Sequence, residues 1–417
     1  MIDQLPENRT LPGDVRMRAR RRLSEGMNPA ASNRTPALIA AGVSLLAAGA
    51  VVAGQALFGT SAQLADPNMQ HNGEFAGKDR GEYNHVERGK VAPDGLARCT
   101  AAAKAHPPAS QWQPIATSSK EGTVLTAFRG PTGVFFCANT ATTTTISEPN
   151  PVKIEDGRRK VKVLFTTPTG ALAGLVSPDV RFLSLSRIAE PNQNTTMPAL
   201  VDGLFLAPSG YLKAETGTKA LANGQDFAVR GVPKPSPSVV DRPLPPAIRD
   251  TQETARFGAC LKDRAIPDAD QFWLGLTAKV SATDTIITGR FGDLLVYCRE
   301  SDSEPSPARV YEAEDLTEVK GRTIASMAAF YDFKPLKIVN GMGEGGSSGY
   351  AAVGLVLDPQ VGSITYVRPG MADVPASLGN GTFVLAAPLI DRHPDARVVV
   401  RDTSGNVIET IKPADVP

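Results

Sequence analysis

The chain has 417 residues, of which 41% are hydrophobic, with four cysteines, four histidines and a net charge of +1. At about 100 to 200 residues per domain, that length fits two or three domains. The near-zero charge excludes global steering toward a polyanion, so no nucleic-acid partner is expected.

Residues 1–36 carry seven arginines and form a basic cytoplasmic tail. Within it, Arg16 to Leu23 is expected to face lipid headgroups. Residues 37–59 follow with no charge between Arg34 and Asp66. As a helix they would reach ~34 Å, enough for a hydrocarbon core of about 30 Å, so a transmembrane helix with the bilayer as a partner is predicted. The arginines precede this segment and the first cation after it is Lys78. The positive-inside rule then keeps the N-terminus cytoplasmic and places the rest outside. A cleaved signal peptide also begins with basic residues, but its apolar region is only about 7 to 15 residues long, which favours an uncleaved anchor. Residues 60–92 are polar and read as a stalk.

Beyond the stalk the chain repeats itself. Cys99, Trp112 and Cys137 recur as Cys260, Trp273 and Cys298, each displaced by 161 positions. Four cysteines outside a membrane argue for disulfides. Of the three possible connectivities, two alike repeats select Cys99 with Cys137 and Cys260 with Cys298. In each copy a short helix carries the first cysteine, with Leu96 or Phe257 three residues before it. Asp250 and Glu253 occupy capping-box positions in the second copy. Three strands follow in each: 112–117, 123–129 and 134–140, then 272–280, 285–291 and 294–298, with glycines at the turns.

The correspondence continues past the cysteines. Gly174-Leu175-Val176 matches Gly354-Leu355-Val356, and Asp202-Gly203-Leu204-Phe205 matches Asn380-Gly381-Thr382-Phe383, with a tight-turn dipeptide in each. The second copy holds about 19 additional residues between its second cysteine and Gly354, including Tyr311 to Glu318. A closing hairpin over 396–411 turns at Ser404-Gly405-Asn406. Between the copies, residues 231–247 contain six prolines and read as a semi-rigid linker.

Signals for chemistry are sparse. His71, His85, His106 and His393 fall at no equivalent repeat positions, and the cysteines are too widely spaced for zinc, so neither metal nor cofactor is expected. Gly341, Gly343 and Gly346 satisfy a dinucleotide-binding spacing, but an apolar strand follows where a helix is required. Gly345, Ser347 and Gly349 satisfy the hydrolase-elbow spacing, with Asp358, Asp391 and His393 after them. The strand-to-helix context is again missing. The acidic cluster Glu312, Glu314, Asp315 and Glu318 lacks calcium-loop spacing and reads as a solvated face. Trp112 and Trp273 are expected to pack on the disulfides, with ligand stacking as the alternative. Arg129 and Arg290, each eight residues before the second cysteine, are strand arginines that could contact a partner.

The Arg-rich lead-in from Leu11 to Leu23 (LPGDVRMRARRRL), joined to an Ala/Val/Leu/Gly anchor, resembles that of single-pass envelope proteins of actinobacterial type. Within these it is similar in outline to membrane-anchored anti-sigma-like proteins. The resemblance covers the first 60 or so residues and implies signalling through the tail. The tail holds none of the His or Cys ligands of a zinc-binding anti-sigma domain.

The expected fold is α+β: a transmembrane helix followed by two tandem repeats over 93–230 and 248–417, each a short helix disulfide-pinned to a mainly antiparallel β meander or sandwich. The expected function is non-catalytic binding, sensing or scaffolding in a cell envelope, with an envelope protein as partner. The alternatives are an envelope serine hydrolase using Ser347 and regulation through the basic tail.

Overall fold

The computed structural model describes residues 84–149, 160–187, 195–209, 217–262, 264–301, 306–312, 322–334, 337–339, 342–344, 347–387 and 395–412. The basic tail, residues 37–59 and most of the stalk lie outside them.

Repeat one begins with β1 (His85–Arg88) and helix α1 (Pro93–Ala102). Then come β2 (Gln113–Lys120), β3 (Thr123–Gly130), β4 (Gly133–Asn139), β5 (Thr143–Ile146), β6 (Val161–Thr166), β7 (Leu172–Val176), β8 (Leu183–Arg187), β9 (Thr195–Thr196), β10 (Ala199–Val201), β11 (Leu204–Ala207), β12 (Thr218–Ala222) and β13 (Gln225–Val229). The linker contributes β14 (Ser238–Val240). Repeat two opens with α2 (Gln252–Leu261) and β15 (Trp273–Lys279), β16 (Asp284–Phe291), β17 (Leu294–Ser301), β18 (Ser306–Glu312), β19 (Ile324–Lys334), β20 (Lys337–Val339) and β21 (Met342–Glu344). It closes with β22 (Ser347–Val356), β23 (Val361–Val367), β24 (Val374–Pro375), β25 (Ser377–Gly379), β26 (Thr382–Ala387), β27 (Arg397–Asp402) and β28 (Val407–Ile411).

The α+β expectation is therefore corrected. The described residues hold two ten-residue helices among mostly antiparallel strands. The fold is mainly β, because each helix only carries a cysteine, whereas hairpin after hairpin is set by Gly, Asn and Asp at left-handed positions. Among the described residues no helix is long and apolar enough to cross a membrane. The segment proposed for that role, 37–59, is not among them. Helix α1 starts at a proline, which loses nothing by lacking an N–H in the first turn. Helix α2 is capped one residue away from the expected box, by reciprocal bonds between Thr251 and Thr254.

Each repeat builds three four-stranded sheets in the same strand order. In repeat one they run β2-β3-β4-β5, widened by β1 and β14, then β10-β11-β7-β6 and β13-β12-β8-β9. In repeat two they run β15-β16-β17-β18, β25-β26-β22-β19 and β28-β27-β23-β24, with β20-β21 as a two-stranded ribbon in the longer connection. The duplication thus extends well past the cysteines.

The second sheets show why the matching glycines recur. Gly174 pairs with Phe205, and Gly354 with Phe383. A Cβ on Gly174 would lie 2.0 Å from the Lys162 carbonyl and 2.8 Å from the Phe205 ring. One on Gly354 would lie 2.1 Å from the Ala325 carbonyl and 2.6 Å from the Phe383 ring. A neighbouring strand and a buried ring occupy the space that a side chain would need. Gly174→Ala is expected to destabilise repeat one by about 1 to 3 kcal/mol through overpacking. Gly95→Ala in α1, whose added methyl would meet only Asn139 Nδ2 at 3.5 Å, should change the denaturation midpoint little.

The repeats differ at one sheet edge. In repeat one, β1 pairs along β2 and lies between it and β10. In repeat two, β15 and β25 meet directly at Gly275 and Gly379, where a Cβ on Gly379 would be 2.8 Å from the Gly275 carbonyl. The corresponding residues in repeat one are Ile115 and Val201. Two glycines thus allow the closure that β1 supplies in the first copy.

Among the described residues the buried apolar side chains form six clusters, three per repeat, and none draws on both. Polar contacts join the repeats. The linker does more than span the gap: β14 pairs with β5, and Asp241 meets Arg98 of α1 in a two-pronged ion pair with bonds of 2.6 and 2.8 Å. Arg98 is almost fully buried and also donates to the carbonyls of Thr140 and Thr143, at 2.7 and 3.0 Å.

Candidate functional site

Both expected disulfides are present. Cys99 bonds to Cys137 and Cys260 to Cys298, with Cα separations of 6.0 and 6.4 Å. Each bridge pins its helix to the third strand of the first sheet. In repeat one the bridge is enclosed by Trp112, Phe128 and Phe135. Trp112 meets those rings at centroid distances of 5.4 and 4.9 Å and donates its Nε1 hydrogen to the Pro107 carbonyl at 2.8 Å. It is a core residue with its one polar atom satisfied.

Trp273 is not. It is 63% exposed, while its neighbour Phe272 is wholly buried against Phe257, Leu294 and Cys298. The cause is a one-residue slip. The 3-10 turn before the first strand ends at Gln111 in repeat one and at Gln271 in repeat two. The connection from the cysteine is thus one residue shorter in the second copy. Phe272 takes the structural place of Trp112, and Trp273 that of Gln113. Because strand side chains alternate between faces, the slip turns Trp273 outward. The expectation that both tryptophans pack on disulfides holds for Trp112 alone.

The space vacated by the larger indole is filled from elsewhere. Gly289, at the position of Phe128, would place a Cβ 2.0 Å from the Phe257 ring, and Phe257 stands where repeat one has Leu96. A large residue on the strand has been exchanged for one on the helix.

The two arginines also diverge. Arg129 is exposed on β3, opposite Gln113. Arg290, opposite Trp273, donates Nε to the Gly292 carbonyl at 2.7 Å and Nη1 to the carbonyls of Val356 and Gly381 at 3.0 and 3.2 Å. Burial lowers its pKa, against the attraction of Asp293, which lies 3.9 Å from Nη2. Arg290 therefore ties the first sheet to the Asn380-Gly381 turn, whose Asn380 side chain donates to the Leu274 carbonyl at 3.0 Å. This fixes the backbone on which Trp273 stands.

Further apolar side chains are exposed along the linker, at Val240 and Leu244, and just beyond it at Ile248, the last at 72%. The linker is held beside the 3-10 turn of repeat two by a bond from the Ala247 N–H to the Asp270 carbonyl at 2.8 Å. Between them opens a groove of about 370 Å³ lined by Arg249, Gly258, Leu261, Lys262, Ala269 and Asp270. Arg249 lies over the Phe257 ring at 5.0 Å and donates to the Phe272 carbonyl, and burial lowers its pKa against the pull of Asp270. An exposed indole on a braced strand, with a groove of mixed charge in the same repeat and apolar side chains on the linker before it, offers stacking and apolar contact rather than bond-making groups. No sequence pattern set Ile248 or Arg249 apart from the linker residues before them.

The catalytic-looking residues are not brought into one described constellation. Ser347 begins strand β22, where the elbow motif would need a helix to follow, and Asp358 serves a turn by accepting the Gln360 N–H at 2.9 Å. Asp391, His393, His71, Glu314, Asp315 and Glu318 lie outside the described residues. Glu312 accepts the Gly122 N–H at 3.1 Å, a contact between the repeats. Among the described residues no three His, Cys, Asp or Glu side chains gather as metal ligands. No family model matches the chain, and no curated protein matches it either.

Proposed function

We propose that the chain is a non-catalytic binding or scaffold component of a cell envelope, which holds its paired β repeats outside the bilayer and engages a protein partner through the Trp273 face. The observation that carries this reading is the exposure of Trp273, a large aromatic turned to solvent on a strand braced by Arg290 and Asn380. Buried anchoring of such residues supplies much of the binding energy at protein interfaces. The envelope location rests on the uncharged apolar run 37–59, the arginines before it and the two disulfides after it.

The test joins topology to contact. In intact spheroplasts, external protease is expected to remove the repeats while sparing an epitope placed in residues 1–36. A photoreactive residue at position 273 should form a discrete protein adduct. The same residue at Val407, also exposed, should not. Trp273→Ala should weaken the association at least tenfold with an unchanged melting temperature. Repeats sheltered from protease would sink the location, and equal labelling at both positions would sink the Trp273 face.

A further inference from the structure

Asp268 opens the 3-10 turn of repeat two in the left-handed conformation, at φ 49° and ψ 41°. Its carboxylate reaches the turn between β4 and β5 of repeat one. There Oδ1 accepts from the hydroxyls of Thr140, at 2.9 Å, and Thr142, and Oδ2 accepts from the Ala141 N–H at 2.8 Å. Three donors from one repeat thus close on a single side chain of the other, at a boundary that no apolar cluster of the described residues crosses.

The charged groups around this contact are already engaged with each other. From α1, Arg98 supports the same turn by donating to the Thr140 and Thr143 carbonyls, and its charge is matched by Asp241. From the linker, the backbone N–H groups of Asp241 and Arg242 both donate to the Thr142 carbonyl, and the Arg242 side chain pairs with Asp94. On the element of Asp268 itself, Asp270 and Arg264 are exposed. The donors that meet the carboxylate are neutral.

We propose that the Asp268 contact is a pH-responsive latch between the two repeats, which tightens as the surroundings acidify. Closing the latch withdraws much of a carboxylate from water and gives it hydrogen bonds but no cation. A neutral acid suits the closed socket better. Its carbonyl oxygen still accepts the Ala141 N–H, and one threonine hydroxyl rotates to accept the new proton. Burial, outweighing the bonds from Thr142, Thr140 and Ala141, raises the Asp268 pKa above its ordinary 3.8. The closed state therefore binds the proton more tightly than the open one. Closure gains as pH falls through that raised value, and the gain levels off near 3.8, where the open state also protonates. Asp241 acts in the opposite sense only below 3.8, since its pKa is lowered, so the window of tightening lies above that value.

Hydrogen exchange of the full chain, followed at the Ala141 amide and corrected for intrinsic rate, reads the latch directly. Its protection is expected to rise severalfold as the pH is lowered from 8 to 3.8, while that of the β3 amides stays constant. Asp268→Asn, which keeps one acceptor but cannot titrate, should give a flat profile. Thr142→Val, which removes one bond to the charged form, should move the rise to higher pH. A flat or reversed profile in the wild type, or a wild-type profile persisting in Asp268→Asn, would overturn the latch.

Discussion

Replacing Cys99 and Cys137 together with alanine is expected to cost repeat one about 4 kcal/mol, the loop-closure entropy returned to an unfolded chain freed of a bridge of sequence separation 38. Packing adds to this. Both residues are wholly buried among Trp112, Phe128 and Phe135, and Asn139 Nδ2 donates to Cys99 Sγ at 3.3 Å. Denaturant unfolding followed by Trp112 fluorescence would measure the loss, in a Trp273→Phe background so that one indole reports. A shift under 1 kcal/mol would mean that the aromatic cluster alone holds α1 on β4. The second bridge differs in access, because Cys260 is only partly buried. Under limiting dithiol at neutral pH, peptide mapping should find Cys260–Cys298 opened before Cys99–Cys137, since exchange requires the attacking thiolate to reach a sulfur.

Arg98→Met is the second large effect. It deprives Asp241 of its cation and two carbonyls of a buried donor, a change expected to cost about 3 to 5 kcal/mol. The pH dependence separates this from a simple packing defect. Burial works to raise the Asp241 pKa, but the hydrogen bond and charge of Arg98 prevail and hold it below the ordinary 3.8. The stability it contributes is therefore complete above 3.8 and is lost as pH falls through the lowered value. Wild-type stability should decline across that acid range, and Arg98→Met should show a shallower decline. Parallel acid profiles for the two proteins would mean that Asp241 draws nothing from Arg98. The consequence reaches beyond repeat one, because the same arginine shapes the turn that receives Asp268.

Much of the architecture can be read from spacing, and its failures are instructive. The cysteine interval was enough to pair the disulfides, and the Asp202-Gly203 and Asn380-Gly381 dipeptides were enough to locate equivalent hairpins. Those residues act locally: a left-handed turn favours Gly, Asn or Asp, although Glu121 also takes that conformation in the first hairpin. The tryptophans misled because identical spacing to a cysteine does not guarantee an identical strand register. One residue fewer before Gln271 sends Trp273 to solvent and Phe272 to the core. The α+β label failed for a different reason: the short helix expected around each first cysteine is there, but two ten-residue helices are a small part of described residues otherwise built into antiparallel sheets. Arg129 and Arg290 looked equivalent, yet only Arg290 finds carbonyls from a second sheet within reach.

The sequence by itself determined the duplication, the oxidised cysteine pairs and the turn positions, because each depends on residues close along the chain or on a pattern stated twice. Tertiary structure alone decided which aromatic is exposed, which arginine is structural, and that Asp268 of one repeat would seat against Thr140, Ala141 and Thr142 of the other, 126 to 128 residues away. Such contacts follow from strand register and from how two separately packed cores meet, and neither leaves a periodic mark in the order of residues.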